Sequence, residues 1–298
     1  MSDWEILEGD CREKLGDIHD ETVDLVVTSP PYAAQRKRTY GGVPPDEYVD
    51  WFLPIGEELS RVLKPTGTFI LNIKENVEGG QRHPYVFNLV CALQAAGWWW
   101  TETFVWHKRN CTPGKWPNRF RDAWEFLFQF NKQKHFTMYQ DAVRVPVGDW
   151  AATRIPNLSE ADRERHTSQT GSGFGRNVGN WADRDLVYPT NVLHLATECG
   201  SKGHSAVFPC RIPEWFIRLF TQEGDLVLDP FSGSGTTGVA AVKLQRRYLG
   251  IEVLPEYAQQ SRLRLGAPPS EEDLALHQEE RRDEWRETWG YSNPFSGE

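Results

Sequence analysis

Residues 225–238 read DLVLDPFSGSGTTG, and this stretch decides the fold. Leu226 to Asp229 is a short apolar strand, and Pro230 stops it. Gly233 and Gly235 allow a tight turn and a close approach of backbone to a ligand. Thr236 to Leu244 then reads as a helix, with Ser234, Thr236 and Thr237 at its N-terminus, where free N–H groups suit an anion. Glu252 follows Gly233 by nineteen residues and closes a second apolar run, Tyr248 to Glu252. An acid at the end of that strand can bond ribose hydroxyls. Strand, glycine loop, helix, strand and acid together predict a site for an adenosine-containing cofactor. The G-S-G-T-T-G spacing also fits a dinucleotide, so an NAD-dependent oxidoreductase is the competing reading. The acidic Asp229 and aromatic Phe231 ahead of the glycines argue against close pyrophosphate approach.

Outward from this stretch, strand-like and helix-like segments alternate. Val23 to Thr28 is a β-branched strand ended by Pro30 and Pro31. Asp46 to Leu63 carries Tyr48, Trp51, Phe52, Ile55, Leu59, Val62 and Leu63 at helical spacing, and Lys64 to Gly67 closes it. Thr68 to Ile73, Trp98 to Trp106 and Trp124 to Phe130 read as strands. Tyr85 to Ala96, Trp215 to Gln222 and Glu256 to Leu265 read as helices. Such alternation predicts an α/β fold, a mostly parallel central sheet with helices on both faces. From Lys132 to Gly200 the pattern lapses into a polar, Arg- and Gly-rich segment centred on TSQTGSGFGRNVGN, residues 167–180. The expected organisation is therefore 1–131 and 201–265 as two halves of one domain, 132–200 as an insertion, and 266–298 as a charged tail. Ser270 to Thr288 is an expected helix of that tail.

The 298 residues are 39% hydrophobic and 25% charged, the balance of a globular protein with a sizeable core. No apolar run reaches the length of a membrane span, and MSDWEILEGD has neither a basic segment nor an apolar one to act as a secretory signal. Cys11, Cys91, Cys111, Cys199 and Cys210 are scattered with no C-x-x-C pair. Neither a disulfide framework nor a metal site is expected, and a reducing cytoplasm is. The formal net charge of -9 speaks against a chain wrapped in nucleic acid, but the charge is unevenly spread. Residues 101–210 hold more Lys and Arg than Asp and Glu, whereas 266–298 is strongly acidic. A local basic patch implies nucleic-acid affinity that salt weakens sharply.

Thr28-Ser29-Pro30-Pro31-Tyr32 directly follows the first buried strand. The prolines fix the backbone and leave the Pro30 carbonyl without a ladder partner. That carbonyl and the Ser29 hydroxyl can accept both hydrogens of one exocyclic amino group, and Tyr32 offers a face to a flat ring. An ordinary strand-ending turn is the plainer reading of two prolines. The glycine loop and acid elsewhere in the chain favour the chemical one.

With these motifs the chain resembles the amino-group DNA methyltransferases of the permuted, beta-type order, in which the amine motif precedes the cofactor motif. Thr28 to Tyr32 matches the catalytic tetrapeptide with its preceding residue, and Asp229 to Gly235 matches the D-P-F-x-G-x-G loop. Lys202 to Pro209 resembles the extra cofactor motif upstream of that loop, and Gly9-Asp10 resembles a further cofactor-side element. The resemblance implies a Rossmann-like methyltransferase fold, S-adenosyl-L-methionine as cofactor, and double-stranded DNA as substrate. It implies catalytic roles for Ser29, Pro30, Pro31 and Tyr32. It implies cofactor contacts from Asp10, Thr28, Lys202, His204, Ser205, Asp229, Pro230, Phe231, Gly233, Ser234, Gly235, Thr236, Thr237 and Glu252. The segment 132–200 then corresponds to the target-recognition domain, and a cognate restriction endonuclease is an expected partner.

An aromatic amine is a poor nucleophile because its lone pair is delocalised, and two acceptors on its hydrogens draw that pair toward the methyl donor. Such chemistry needs positioning and electrostatics rather than a covalent intermediate, and a base flipped out of the duplex. Ser29 at the first motif position resembles the cytosine-N4 members of that family, which implies cytosine N4, with adenine N6 as the alternative. An RNA or protein amine and a non-catalytic DNA-binding relative remain open. Cytosine-C5 chemistry needs a Cys nucleophile, and Pro209-Cys210 with Glu75-Asn76-Val77 superficially supplies its motifs. Cys210 adjoins the cofactor-like stretch and Glu75 to Val77 follows a strand in a polar loop, so both are expected to be coincidences. DNA contacts are expected from Arg36, Lys37 and Arg38, from Lys108, Arg109, Lys115, Arg119 and Arg121 interleaved with Trp116 and Phe120, and from Arg163, Arg165 and Arg176. Arg154 and Arg184 belong to the same basic set.

Overall fold

In the computed structural model, Val23–Thr28 (β2) lies between two halves of one sheet, because the chain leaves it in one direction first and returns on the other side later. The structure describes residues 3–35, 40–111, 114–146, 157, 186–197 and 208–266. The other strands of the sheet are Trp4–Glu8 (β1), Leu63–Ile73 (β3), Trp99–Lys108 (β4), Trp124–Asn131 (β5), Val192–Leu195 (β6), Leu226–Asp229 (β7) and Arg247–Glu252 (β8). Their order is β1-β8-β7-β2-β3-β5-β4-β6. Every neighbouring pair is parallel except those made by β5, which runs antiparallel to β3 and to β4. The expected α/β class with a mostly parallel sheet is what forms.

Alternate strand residues face opposite sides. Val26, Phe69, Leu71, Phe128 and Phe130 enter one core with Tyr48, Phe52, Ile55, Leu59 and Val62 of the helix Tyr48–Val62 (α2) and Leu89 and Leu93 of Tyr85–Ala95 (α3). Phe52, Trp98 and Phe130 each pack against Phe69 there, with ring centroids at 6.5, 5.5 and 5.6 Å. On the other side Phe104 meets Trp215 and Phe216 of Arg211–Phe220 (α4). Burial on both faces explains why β2 and β3 read as nearly continuous apolar runs.

Four elements differ from the sequence expectation. Helix α4 starts at Arg211, four residues before the expected Trp215, because Pro213 sits in the first turn, where its missing N–H costs nothing. It also stops at Phe220, after which Thr221 is extended. Strand β3 takes in Leu63, since the ladder pairs Val23 with Leu63 and then resumes at Leu25 with Thr68, so residues 64–67 bulge out. Strands β1 and β6 are not expected from the pattern. They are the two edges of the sheet, and β1 buries only Ile6 fully, so their apolar signal is weak.

By contacts, Met1–Ala142 with Asn191–Pro268 forms one compact unit, and Val143–Thr190 with Pro269–Glu298 another. Within the second, Val145–Pro146 pairs antiparallel with Leu186–Val187. Strand β6 lies inside the stretch 132–200 that composition marks as an insertion, yet it pairs with β4 in the main sheet. The expected tail helix, Ser270 to Thr288, lies outside the described residues. Among the described residues no helix is long and apolar enough to cross a membrane.

Candidate active site

The chain passes from β2 toward β3 on one side and from β7 toward β8 on the other, which makes the gap between β2 and β7 a topological switch point. Ligands in open α/β sheets bind there, beyond the carboxyl ends of the strands. The parallel strands β1, β8, β7 and β2 deliver Gly9-Asp10, Glu252, Asp229 and Thr28-Ser29 to that one end. A cleft of about 360 Å³ opens among them. Its lining includes Asp10, the whole run Ser29 to Tyr32, Asp229 to Ser234, Thr236 and Glu252.

Asp229 is the buried centre of this end, only 2% exposed. It accepts from the Thr28 hydroxyl at 2.6 Å, the Thr237 hydroxyl at 2.7 Å and the Phe231 N–H at 3.1 Å. Burial pushes its carboxyl up to about 6, against the pull of those donors. Thr28 thus ties the amine motif on β2 to the glycine loop after β7, residues 201 positions apart. Thr28 and Thr237 reach Asp229 rather than line the cleft, and so act behind it.

The glycine loop is shaped by two left-handed residues, Gly233 at φ +53 and Gly235 at φ +84. A Cβ on Gly235 would meet the Ser261 hydroxyl at 2.3 Å, so the helix Pro255–Gly266 (α6) packs directly on the loop. The helix Thr236–Lys243 (α5) starts from Gly235. Glu252 accepts the Gly233 N–H at 2.8 Å on one oxygen and the Leu254 N–H at 2.9 Å on the other, and burial raises its pKa. Asp10 caps the short helix Cys11–Lys14 (α1) and is gripped by the Arg12 side chain, whose hydrogen bond lowers its pKa.

On the opposite wall Ser29 Oγ stands 3.3 Å from the Tyr32 hydroxyl, and the Tyr48 hydroxyl donates to the Pro31 carbonyl at 2.9 Å. Tyr32 donates to Glu125 Oε2 at 2.7 Å, close to Asn72 Oδ1 at 3.2 Å. Burial, and then the Glu125 carboxylate, push its hydroxyl well above the usual phenol range. Asn72 and Glu125 escape a reading by motif. Their only signal is a polar residue inside TFILNI and a charge inside WEFLFQF, both buried runs. Arg12, Tyr40, Trp51, Leu254 and Tyr257 also line the cleft and carry no motif. Trp51 leans on Phe231, ring centroids 5.8 Å apart.

The basic residues part company. Lys108 bonds Glu125 at 2.5 Å and lies 4.8 Å from the Trp106 ring, so it belongs to the wall behind Tyr32. Arg119 stacks over Trp116 at 4.6 Å and stands 3.5 Å from Asp122. Arg109, Lys115 and Arg121 are exposed on the same connection between β4 and β5. Arg36, Lys37, Arg38, Arg154, Arg163, Arg165, Arg176 and Arg184, and the cofactor candidates Lys202, His204 and Ser205, lie outside the described residues. Cys210 precedes α4 with its thiol 3.7 Å from Glu214 and is not in the cleft lining. Glu75 stands 3.6 Å from Arg82. Neither has the placement that a carbon-5 mechanism requires.

The sequence profile of a family described as DNA methylase matches residues 23–263. The type II methyltransferase M.PvuII of Proteus hauseri is 32% identical over 279 residues, spanning 86% of this chain and 82% of its own. M.BglII of Bacillus subtilis is 30% identical over 268 residues, spanning 89% and 70%. Among solved structures, the PvuII DNA methyltransferase, described as cytosine-N4-specific, superposes with a TM-score of 0.68 at 27% identity, covering 94% of this chain and 93% of its own. TTHA0409 of Thermus thermophilus, solved with S-adenosyl-L-methionine, gives a TM-score of 0.56 at 25% identity and covers 88% and 92%.

Proposed function

The chain belongs to the family of DNA methylases acting on amino groups, and from that premise we propose that it methylates N4 of cytosine in double-stranded DNA after flipping the base. The methyl donor is S-adenosyl-L-methionine. The residues present fit it. The cleft is bounded by the carboxylates Asp10 and Glu252, suited to a cation bearing a ribose, with Phe231, Ile251 and Tyr257 as apolar walls. Glu252 keeps lone pairs beyond the two backbone N–H groups it accepts, and these can bond ribose hydroxyls. When bound, the cofactor supplies an electrophilic methyl carbon on a positively charged sulfur.

The observation that carries the reading is Ser29-Pro30-Pro31-Tyr32 on the rim of the same cleft as Asp229 to Gly233. Ser29 Oγ and the Pro30 carbonyl take the two amine hydrogens and draw the nitrogen lone pair toward the methyl group. Tyr32 stacks on the flipped base. Ser at the first motif position, together with the cytosine-N4 specificity of the PvuII enzyme, supports cytosine. Adenine N6 is the second reading, favoured by the breadth of the family. Site roles extend to Thr28 and Thr237 as anchors of Asp229. Target recognition belongs to residues 143–190, and phosphate contacts to Arg36, Lys37, Arg38, Arg109, Lys115, Arg119 and Arg121 with Arg163, Arg165 and Arg176. Its type II relatives suggest a partner endonuclease of the same specificity and action in the cytoplasm. Expression in a host lacking DNA methylation, followed by modification-sensitive sequencing of its genome, tests this. N4-methylcytosine at one recurrent short sequence is expected, and N6-methyladenine there overturns the choice of base.

A further inference from the structure

A buried carboxylate lies behind the amine site with no place in cofactor or DNA binding. Glu125 is 7% exposed and receives the Lys108 ammonium on Oε1 at 2.5 Å. On Oε2 it receives the Tyr32 hydroxyl at 2.7 Å and, more distantly, the Asn72 amide at 3.3 Å. Tyr32 has one hydrogen to give and three oxygens around it: Glu125 at 2.7 Å, Asn72 at 3.2 Å and Ser29 at 3.3 Å. A carboxylate is the strongest acceptor and the nearest, so the hydrogen goes to Glu125. The Tyr32 oxygen is then left to accept the hydrogen of Ser29. Ser29 in turn faces the cleft with lone pairs alone.

We propose that Glu125 is a positioning residue that sets the direction of the chain Ser29–Tyr32–Glu125, making Ser29 an acceptor, and that it takes the proton the methylated amine gives up. The inference rests on the amine reading above. As the nitrogen–carbon bond forms, the methyl–sulfur bond breaks and its electron pair stays on sulfur, leaving the nitrogen cationic. One N–H proton passes to Ser29 Oγ while the Ser29 proton moves to Tyr32 and the Tyr32 proton to Glu125 Oε2. The nitrogen keeps the pair of that N–H bond and becomes neutral, and Ser29 and Tyr32 end neutral as they began. Net charge is conserved. The positive charge lost at sulfur is matched by the negative charge lost at Glu125, with Lys108 charged throughout. The high pKa of Tyr32 keeps it protonated, as a relay member must be.

The test is the single-turnover rate on unmethylated bacterial genomic DNA, with labelled nucleosides identified in each digest. In Glu125→Gln the amide can donate to Tyr32 and reverse the chain, so a loss of about 10²-fold is expected. Tyr32→Phe cuts the same chain and should lose a similar factor, and the double variant should be no slower than the slower single one. Asn72→Asp added to Glu125→Gln puts a carboxylate beside Tyr32 and should recover at least about tenfold. Cofactor affinity should stay near wild type in all. A Glu125→Gln or Tyr32→Phe enzyme within about threefold of wild type, or no recovery by Asn72→Asp, overturns the relay. If Glu125→Gln fails to fold, the Tyr32→Phe rate decides. Label absent from any amino group in the wild-type digest defeats the amine reading itself, whereas labelled wild type with unaffected variants defeats only the relay.

Discussion

Replacing Asp229 by Asn should make the folded protein gain stability relative to wild type as pH rises. The Asp229 carboxyl sits at about 6 in the folded chain against an ordinary 3.8, because its ionised form is buried. Each unit is worth about 1.4 kcal/mol, so ionising Asp229 withdraws roughly 3 kcal/mol of folding stability. The folded pKa is raised, so the stability of the neutral form is fully present below the unfolded pKa. It is lost as pH rises through 3.8 to about 6. Asn cannot ionise. Its amide can donate to the Thr28 or Thr237 hydroxyl, each of which accepts as well as donates, so any hydrogen-bond cost is a constant offset. Urea unfolding of wild type and Asp229→Asn without cofactor, at half-unit steps from about pH 4 to 8, isolates the titrating part. The stability of the variant minus that of wild type should climb by up to about 3 kcal/mol between about pH 4 and 7 and then level off. A difference that stays flat, or that grows as pH falls, refutes the reasoning.

Gly235→Ala forces a side chain to φ +84 and onto Ser261, at 2.3 Å from its hydroxyl and 3.2 Å from its Cα. Left-handed strain and overpacking together cost about 2–5 kcal/mol, so a thermal melt should fall by roughly 5–15 °C. An unchanged melt would mean that the loop relaxes freely. Glu252→Gln leaves one of the Gly233 and Leu254 N–H groups facing an amide donor. Calorimetric titration should show the cofactor dissociation constant rising about 10-fold or more, and an unaltered constant removes Glu252 from the site. Ser29→Ala deletes one of the two proposed amine acceptors, and kcat should drop about 10²-fold with cofactor affinity kept. Full activity in Ser29→Ala would put the chemistry elsewhere.

What the sequence discloses follows burial and motif. β2, β7 and β8, buried on both faces or joined to the glycine loop, read directly as strands, and their ends place Ser29, Asp229 and Glu252. β1 and β6 hide because an edge strand needs little apolar surface. Trp4–Glu8 alternates with two glutamates, and Val192–Leu195 carries a histidine within a polar stretch. The start of α4 hides behind Pro213, a residue that breaks helices in general but not in their first turn. At the site, the motif residues are visible because their chemistry fixes their order along the chain. Their supports are not. Asn72 and Glu125 come from separate strands, 53 residues apart, and meet Tyr32 only through the antiparallel register of β3 and β5. Lys108 looks like one of several loop cations, and only its strand position turns it onto Glu125.

The most direct test is transfer from S-adenosyl-L-methionine labelled in its methyl group to double-stranded DNA, with mass spectrometry of the digested nucleosides. Label should appear in N4-methylcytosine with wild-type protein and fall steeply with Ser29→Ala. Label in 5-methylcytosine, or in no nucleoside at all, would contradict methyl transfer to an exocyclic amine at Ser29.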